Sequence, residues 1–304
     1  VTAETERLPA RAASSSSLSR LARLARVTLV AALGMTAAGC AADADADDEG
    51  DEADAVAHSE DAILGGSVER GWPAVGMLRF ATGSFGTGVL VTPTVVLTAA
   101  HVAGGRPTQF FYGTAPEGKT PTPENLKVAE VAETVIHPCY DTPKAKGCPD
   151  GGKDRIDVAL VRLTKPITDV APVPMVQYPL EMLWGMLSPY EGDSCVAVGF
   201  GAFLGPDKKV SLGMRRSAKS TVAEVNATEL VTIRGTGIAT SGDSGGPLVC
   251  GGRVIGVVRG SAGRATPGSP YDRTREGYER IDLWRSWIAT QTRAWSLAAK
   301  KPRL

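Results

Sequence analysis

Histidine is scarce in this chain: 304 residues carry only three, His58, His101 and His137. Cysteine is scarce too, at five. None of the cysteines has C-x-x-C spacing, which argues against a zinc site. No metal and no cofactor is implied. An excess of charge of one sign is also lacking, since 33 Lys and Arg balance 33 Asp and Glu. Without a basic excess there is no electrostatic footprint for nucleic acid, and no nucleic-acid partner is expected. The apolar run at 27–38 has 12 residues, too few to span a bilayer, which takes about 20. Helical periodicity is rare and shows only near the C-terminal end. The hydrophobic share, 43%, is that of an ordinary globular domain.

What is present divides the chain. Arg7, Arg11, Arg20, Arg23 and Arg26 precede the short apolar run, the order of a signal peptide, expected over residues 1–39. The run ends in Ala37-Ala38-Gly39-Cys40, which resembles a bacterial lipobox. That resemblance implies cleavage before Cys40 and a lipid on Cys40 that anchors the protein to a membrane. The other reading is a plain secretory signal cut near Ala38. Residues 40–62 are acidic and of low complexity, with Asp43, Asp45, Asp47, Asp48, Glu49, Asp51 and Glu52. Self-repulsion and few apolar anchors predict a disordered tether or propeptide holding a solvated His58. A globular domain is expected over 63–292 and a basic tail over 293–304.

Within the domain, runs rich in Val, Leu and Thr are punctuated by Gly and Pro. Strands are expected at 75–80, 87–92, 95–99, 126–136, 157–163, 195–199, 217–225, 229–234, 246–249 and 253–258. Many short strands at even spacing indicate an all-β sandwich or barrel. Residues 281–299 break the pattern. Leu283, Trp284, Trp287, Ile288, Thr290 and Gln291 fit one helical face, expected to dock on the strands.

The chemistry centres on Thr240-Ser241-Gly242-Asp243-Ser244-Gly245-Gly246-Pro247-Leu248. A serine hydroxyl is a poor nucleophile until a base takes its proton. The carbonyl it attacks becomes an oxyanion that needs preorganised N–H donors. Glycines around Ser244 permit a tight turn in which the N–H groups of Gly242 and Ser244 converge. The run also fits the G-x-S-x-G elbow of α/β-hydrolases, which requires the order Ser, acid, His. All three histidines precede Ser244, so that reading fails and a His-Asp-Ser order remains. A second Gly-Asp-Ser, at Gly192-Asp193-Ser194, leads straight into an apolar strand and reads as a turn.

His101 ends Leu97-Thr98-Ala99-Ala100-His101, where small residues leave room for an imidazole to face a neighbour. His137 belongs to an Ile136-His137-Pro138 turn. Asp157 heads the apolar run Asp157-Val158-Ala159-Leu160-Val161 and, once desolvated, needs a partner. With these stretches the chain resembles the trypsin-like serine protease family. Further matches are Ile63-Leu64-Gly65-Gly66, His137-Pro138 with Tyr140, and residues 195–201. The resemblance implies two six-stranded antiparallel β-barrels with a C-terminal helix, and a serine endopeptidase acting on proteins or peptides. It carries His101 over as base, Asp157 as orienter and Ser244 as nucleophile, with an oxyanion hole at Gly242 and Ser244.

The same resemblance makes Ile63 the residue whose freed α-amine pairs with Asp243, in a zymogen cut after Ala62 by an activating protease; the alternative is that other contacts order Asp243 without cleavage. Ala62 stands where the family has Arg or Lys, so a trypsin-type activator is not expected. Ile238 falls at the base of the specificity pocket and predicts a preference for small or aliphatic side chains. Glu276 and Gly277 form the pocket wall, and an inward Glu276 would restore a basic preference. Arg259-Gly260-Ser261 replaces the family's Ser-Trp-Gly, with Ser261 at the pocket. The resemblance pairs Cys195 with Cys250, and Cys139 with Cys148 then close a short loop before Asp157. Such bridges indicate an oxidising, extracytoplasmic compartment. The competing function is a catalytically silent binding or adhesion lipoprotein on the same fold. The complete His101, Asp157 and Ser244 set favours the enzyme.

Overall fold

A computed structural model describes residues 66–143, 148, 155–180, 190, 192–204, 207, 209–261 and 275–299. The expected leader, Cys40, the tether, Ala62 and Ile63 lie outside the described residues. Strand β1 (Ser67–Val68) lies along the second of two barrels. The first barrel comprises β2 (Val75–Phe80), β3 (Phe85–Thr92), β4 (Val95–Thr98), β5 (Pro107–Tyr112), β6 (Lys127–Ile136) and β7 (Ala159–Leu163). It closes in the order β2-β3-β4-β7-β6-β5, with every pairing antiparallel.

Strand β8 (Ser194–Gly199) opens the second barrel, and a small hairpin of β9 (Phe203–Leu204) and β10 (Val210–Ser211) follows. The barrel continues with β11 (Arg216–Val225), β12 (Glu229–Arg234), β13 (Pro247–Cys250), β14 (Arg253–Ser261) and β15 (Arg275–Arg280). The order β8-β11-β12-β15-β14-β13 closes because β8 pairs with both β11 and β13. Alternation shows how sequence sets the faces. On β11, Ala218, Ser220 and Val222 turn inward while Lys219 is exposed, the period of two that a half-buried strand needs. The disulfides Cys139–Cys148 and Cys195–Cys250 are formed.

The ten expected strands are all present, and two more complete the barrels. β5 begins with Pro107. β15 reads Arg-Glu-Gly-Tyr-Glu-Arg, which shows no hydrophobic alternation, yet Gly277, Tyr278, Glu279 and Arg280 are buried. Its charges are satisfied internally, as in the Arg280 pair with Asp282 at 2.7 Å.

The C-terminal helix exists, but its buried face differs from the expected one. Asp282–Trp284 form a 3-10 turn before α-helix Arg285–Ala299. A 3-10 turn advances faster than an α-helix, so Leu283 rotates off the stripe and is exposed. Thr290 also points to solvent and returns its hydroxyl to the Ser286 carbonyl. The stripe that docks is Trp284, Trp287, Ile288 and Trp295, packed with first-barrel residues such as Val161 and Leu163. Trp295, with the Arg162 guanidinium 6.0 Å from its ring centre, carries the helix past residue 292, the expected end of the domain. Among the described residues no helix is long and apolar enough to cross a membrane.

Candidate active site

His101 lies in the first turn of helix α1 (Ala100–Gly104), directly after β4. Ala99, Ala100 and Ala103 are buried, and their small size lets this turn sit on the barrel. β4 pairs with β7 in the register Thr98↔Ala159. Extending that register two residues puts Asp157 beside the start of α1. There its Oδ1 accepts the His101 backbone N–H at 2.9 Å, and Oδ2 meets His101 Nδ1 at 2.7 Å. The double contact fixes both the helix turn and the ring. Asp157 is buried, and the His101 side chain is about a third exposed, at 36%. With Nδ1–H donated to Asp157, Nε2 remains an acceptor on the open side of the ring.

The serine loop leads into β13 and is held on both sides. Asp243 N–H donates to the Thr240 carbonyl at 2.9 Å, and Gly246 N–H donates to the Asp243 carbonyl at 2.8 Å. Gly245 N–H reaches Val258 of the second barrel at 2.9 Å. From the first barrel, Thr87 N–H donates to the Ser244 carbonyl at 2.9 Å. The Thr87 hydroxyl donates to the Gly242 carbonyl at 2.7 Å and accepts Phe200 N–H at 3.1 Å. A methyl group on Gly245 would lie 2.1 Å from Thr98 Oγ1 and 2.8 Å from Ala99 N. A methyl group on Gly86 would touch both Val102 and the Ser244 carbonyl. Ser244 is therefore on the rim that carries His101. Among the described residues no hydrogen bond joins its hydroxyl to the His101 ring. The N–H groups of Gly242 and Ser244 have no acceptor among the described residues either.

Asp243 is fully buried and aimed into the second barrel. Its Oδ1 accepts Gly201 N–H at 2.7 Å and its Oδ2 accepts Thr240 N–H at 2.8 Å. Burial pushes its carboxyl up to about 7, against those hydrogen bonds and the nearby charge of Arg216. Ile238 is half-buried. Glu276 is buried beneath the segment that carries Ile238, accepting Ala239 N–H and the Tyr278 hydroxyl. Desolvation pushes Glu276 up to about 7 as well. Gly277 is buried and pairs with Gly260, and Ser261 ends β14 beside Glu276. His137 caps the N-terminus of helix α2 (Pro138–Asp141) and packs on Trp284 and Trp287 at 4.7 and 4.9 Å, away from this chemistry.

Two contributors have little sequence signal. Thr87 ties the serine loop to the first barrel, but one threonine in a β-run looks like any other. Glu279 backs Asp157: its Oε2 accepts the Asp157 backbone N–H at 3.1 Å. Its strand looks too polar to be buried. Among the described residues no group of three or more His, Cys, Asp or Glu is placed to hold a metal ion.

Two closed six-stranded barrels, with an Asp-clamped histidine and a glycine-flanked serine on one rim, define a chymotrypsin-like fold. The trypsin family model matches residues 63–288, and the chain belongs to that family. Among curated relatives, mouse serine protease 56 is 27% identical over 76% of this chain and 39% of its own length. Human serine protease 56 is 29% identical over 79% of this chain and 40% of its own length. The chain thus spans about two fifths of the length of these relatives. Mouse kallikrein 1-related peptidase b27 is 29% identical over 66% of this chain and 78% of its own. Among solved structures, human heparin binding protein superposes with a TM-score of 0.54 at 21% identity, covering 75% of this chain and 95% of that one. A structure described as GrC gives 0.57 at 22% identity, covering 76% and 99%.

Proposed function

We propose that this chain is an extracytoplasmic serine endopeptidase with Ser244 as nucleophile, His101 as general base and Asp157 as orienter. The observation that carries the reading is the two-point clamp of Asp157 on His101, which leaves Nε2 as the acceptor beside the serine loop. Substrate entry brings the Ser244 hydroxyl to Nε2. The hydroxyl proton moves to Nε2 as Oγ bonds to the scissile carbonyl carbon. The carbonyl oxygen takes up negative charge and receives the N–H groups of Gly242 and Ser244. Collapse expels the amine, which leaves with the proton from Nε2. Water then repeats the sequence on the acyl-enzyme, and Asp157 stays ionised throughout.

The pocket is proposed to favour small or aliphatic side chains. Ile238 supplies an apolar floor, and both Glu276 oxygens are already engaged by Ala239 and Tyr278. Ser261 and Gly277 complete the wall. The proposed organisation is a lipoprotein signal peptide of bacterial type at 1–39, a lipid on Cys40, an acidic tether at 40–62 and the protease domain from Ile63. Two disulfides support an oxidising compartment. Asp243, buried without its own ion pair among the described residues, supports a zymogen in which cleavage before Ile63 delivers an α-amine to it.

A neighbour described as a heparin binding protein shares the fold, so the fold alone does not separate an enzyme from a silent binding protein. A panel of peptides tests both points. Chain starting at Ile63 is expected to cleave after Ala or Val faster than after Arg or Lys. Ser244→Ala should lower kcat by about 10⁶. Faster cleavage after Arg or Lys would assign Glu276 to the pocket and overturn the apolar preference. Binding without cleavage would point to the silent protein.

A further inference from the structure

Directly behind the Asp157–His101 pair sits a second carboxylate that the mechanism above does not use. Glu279 on β15 is fully buried. Its Oε2 accepts the Asp157 backbone N–H at 3.1 Å, and its Oε1 accepts the Trp284 indole N–H at 3.1 Å. Arg259 on β14 approaches Oε2 at 3.9 Å. Both oxygens thus face donors, the arrangement that suits the ionised form. Burial opposes ionisation, and the balance leaves the carboxyl pushed up to about 7.

We propose that Glu279 is a positioning residue whose charge, balanced by Arg259, sets the field in which Asp157 orients His101. The inference rests on the protease reading for what His101 does, and on geometry for the coupling. With Glu279 ionised, the cluster of Arg259, Glu279 and Asp157 carries a net negative charge that an imidazolium neutralises. With Glu279 protonated, the same imidazolium leaves the cluster positive. Ionised Glu279 therefore stabilises the charged histidine that forms as Ser244 attacks, and protonation removes that help. Other groups face this cluster. Glu229 lies opposite Glu279 on β12, and Tyr140 on α2 feels the charge of Asp157. Trp284 brings no charge, and His137 stacked on it is held toward its neutral form by burial.

The rate test uses the active chain and follows kcat and kcat/KM from pH 5.5 to 8.5. The acid limb is expected to fit two ionisations, one of them changing kcat about tenfold. Glu279→Gln should leave one ionisation, lower kcat about tenfold at pH 8 and leave KM near its starting value. Arg259→Gln removes the cation that favours ionised Glu279, so the second ionisation should move to higher pH. A purely structural glutamate would show neither change.

A second measurement needs no turnover and remains available if Glu279→Gln does not fold. In Ser244→Ala, the Glu279 carboxyl is followed by its ¹³C shift. Coupling between two sites is reciprocal, so Asp157→Asn, which removes a like charge, should move the Glu279 titration to lower pH. A titration unmoved by Asp157→Asn and Arg259→Gln overturns the inference whether or not the chain is a protease. Coupled titration in a chain that cleaves nothing would overturn the protease reading and leave the coupling standing.

Discussion

Gly242 adopts φ +95°, a conformation that L side chains rarely take, and its missing side chain leaves room for Phe85. A methyl group there would lie 2.7 Å from the Phe85 ring and 3.1 Å from the Gly201 backbone. The N–H of Gly242 depends on this conformation for its direction. Gly242→Ala should therefore lower kcat by about 10²–10³, the loss typical of one oxyanion donor, with little change in KM. Equal kcat in variant and parent would remove Gly242 from the oxyanion hole. Gly245, at φ +78°, is a different case, because its methyl group would meet the Thr87 carbonyl at 2.5 Å and Ala99 N at 2.8 Å. Those atoms belong to the backbone of the first barrel and cannot turn aside. Much of the proposed site is legible in the sequence. His101, Asp157 and Ser244 each sit in a short run whose small or apolar neighbours give them away. Glu279 had no such signal, since its meaning comes from where β15 lies against residue 157, a contact 122 positions away in the chain.

Elements are held by register and by two staples of unequal reach. Cys195–Cys250 joins β8 to the end of β13 across a separation of 55 residues, while Cys139–Cys148 spans 9. Chain-entropy reasoning gives about 4 kcal/mol for the long loop and about 2.5 kcal/mol for the short one. Cys195→Ala with Cys250→Ala should therefore lower the unfolding free energy in urea more than Cys139→Ala with Cys148→Ala. The reverse order would show that the short staple holds the Asp157 approach more firmly than loop entropy accounts for. Ten strands were legible because Val, Leu and Thr alternate or run together between Gly and Pro. β5 and β15 escaped because their burial depends on tertiary pairing. The Arg280–Asp282 pair and the Glu276–Tyr278 bond satisfy charges that a periodicity argument assigns to solvent. Leu283 leaves the buried stripe because the 3-10 turn shifts the phase of the helix entrance, whereas Thr290, two residues on from Ile288 in the regular helix, lies about 200° around it from that stripe.

Across the whole molecule, three buried carboxyls share one sign of pH response. Asp243, Glu276 and Glu279 are each raised to about 7 in the folded protein, chiefly by desolvation. The unfolded chain ionises such groups near 4. Between these limits the folded state binds more protons, so stability falls as pH rises from about 4.5 to about 7 and then levels. Ser244→Ala protein should thus melt at a higher temperature at pH 5.5 than at pH 7.5. A melting temperature that rises with pH over this interval would contradict the assigned burial of these groups. An α-amine delivered to Asp243 would lower its pKa, so chain starting at Ile63 should show the weaker pH dependence. Whether Ser244 is activated is read from the intact mass of purified protein before and after a fluorophosphonate probe. One adduct is expected on chain starting at Ile63 and none on Ser244→Ala. Chain that starts at Ile63 and takes no adduct would contradict an activated Ser244.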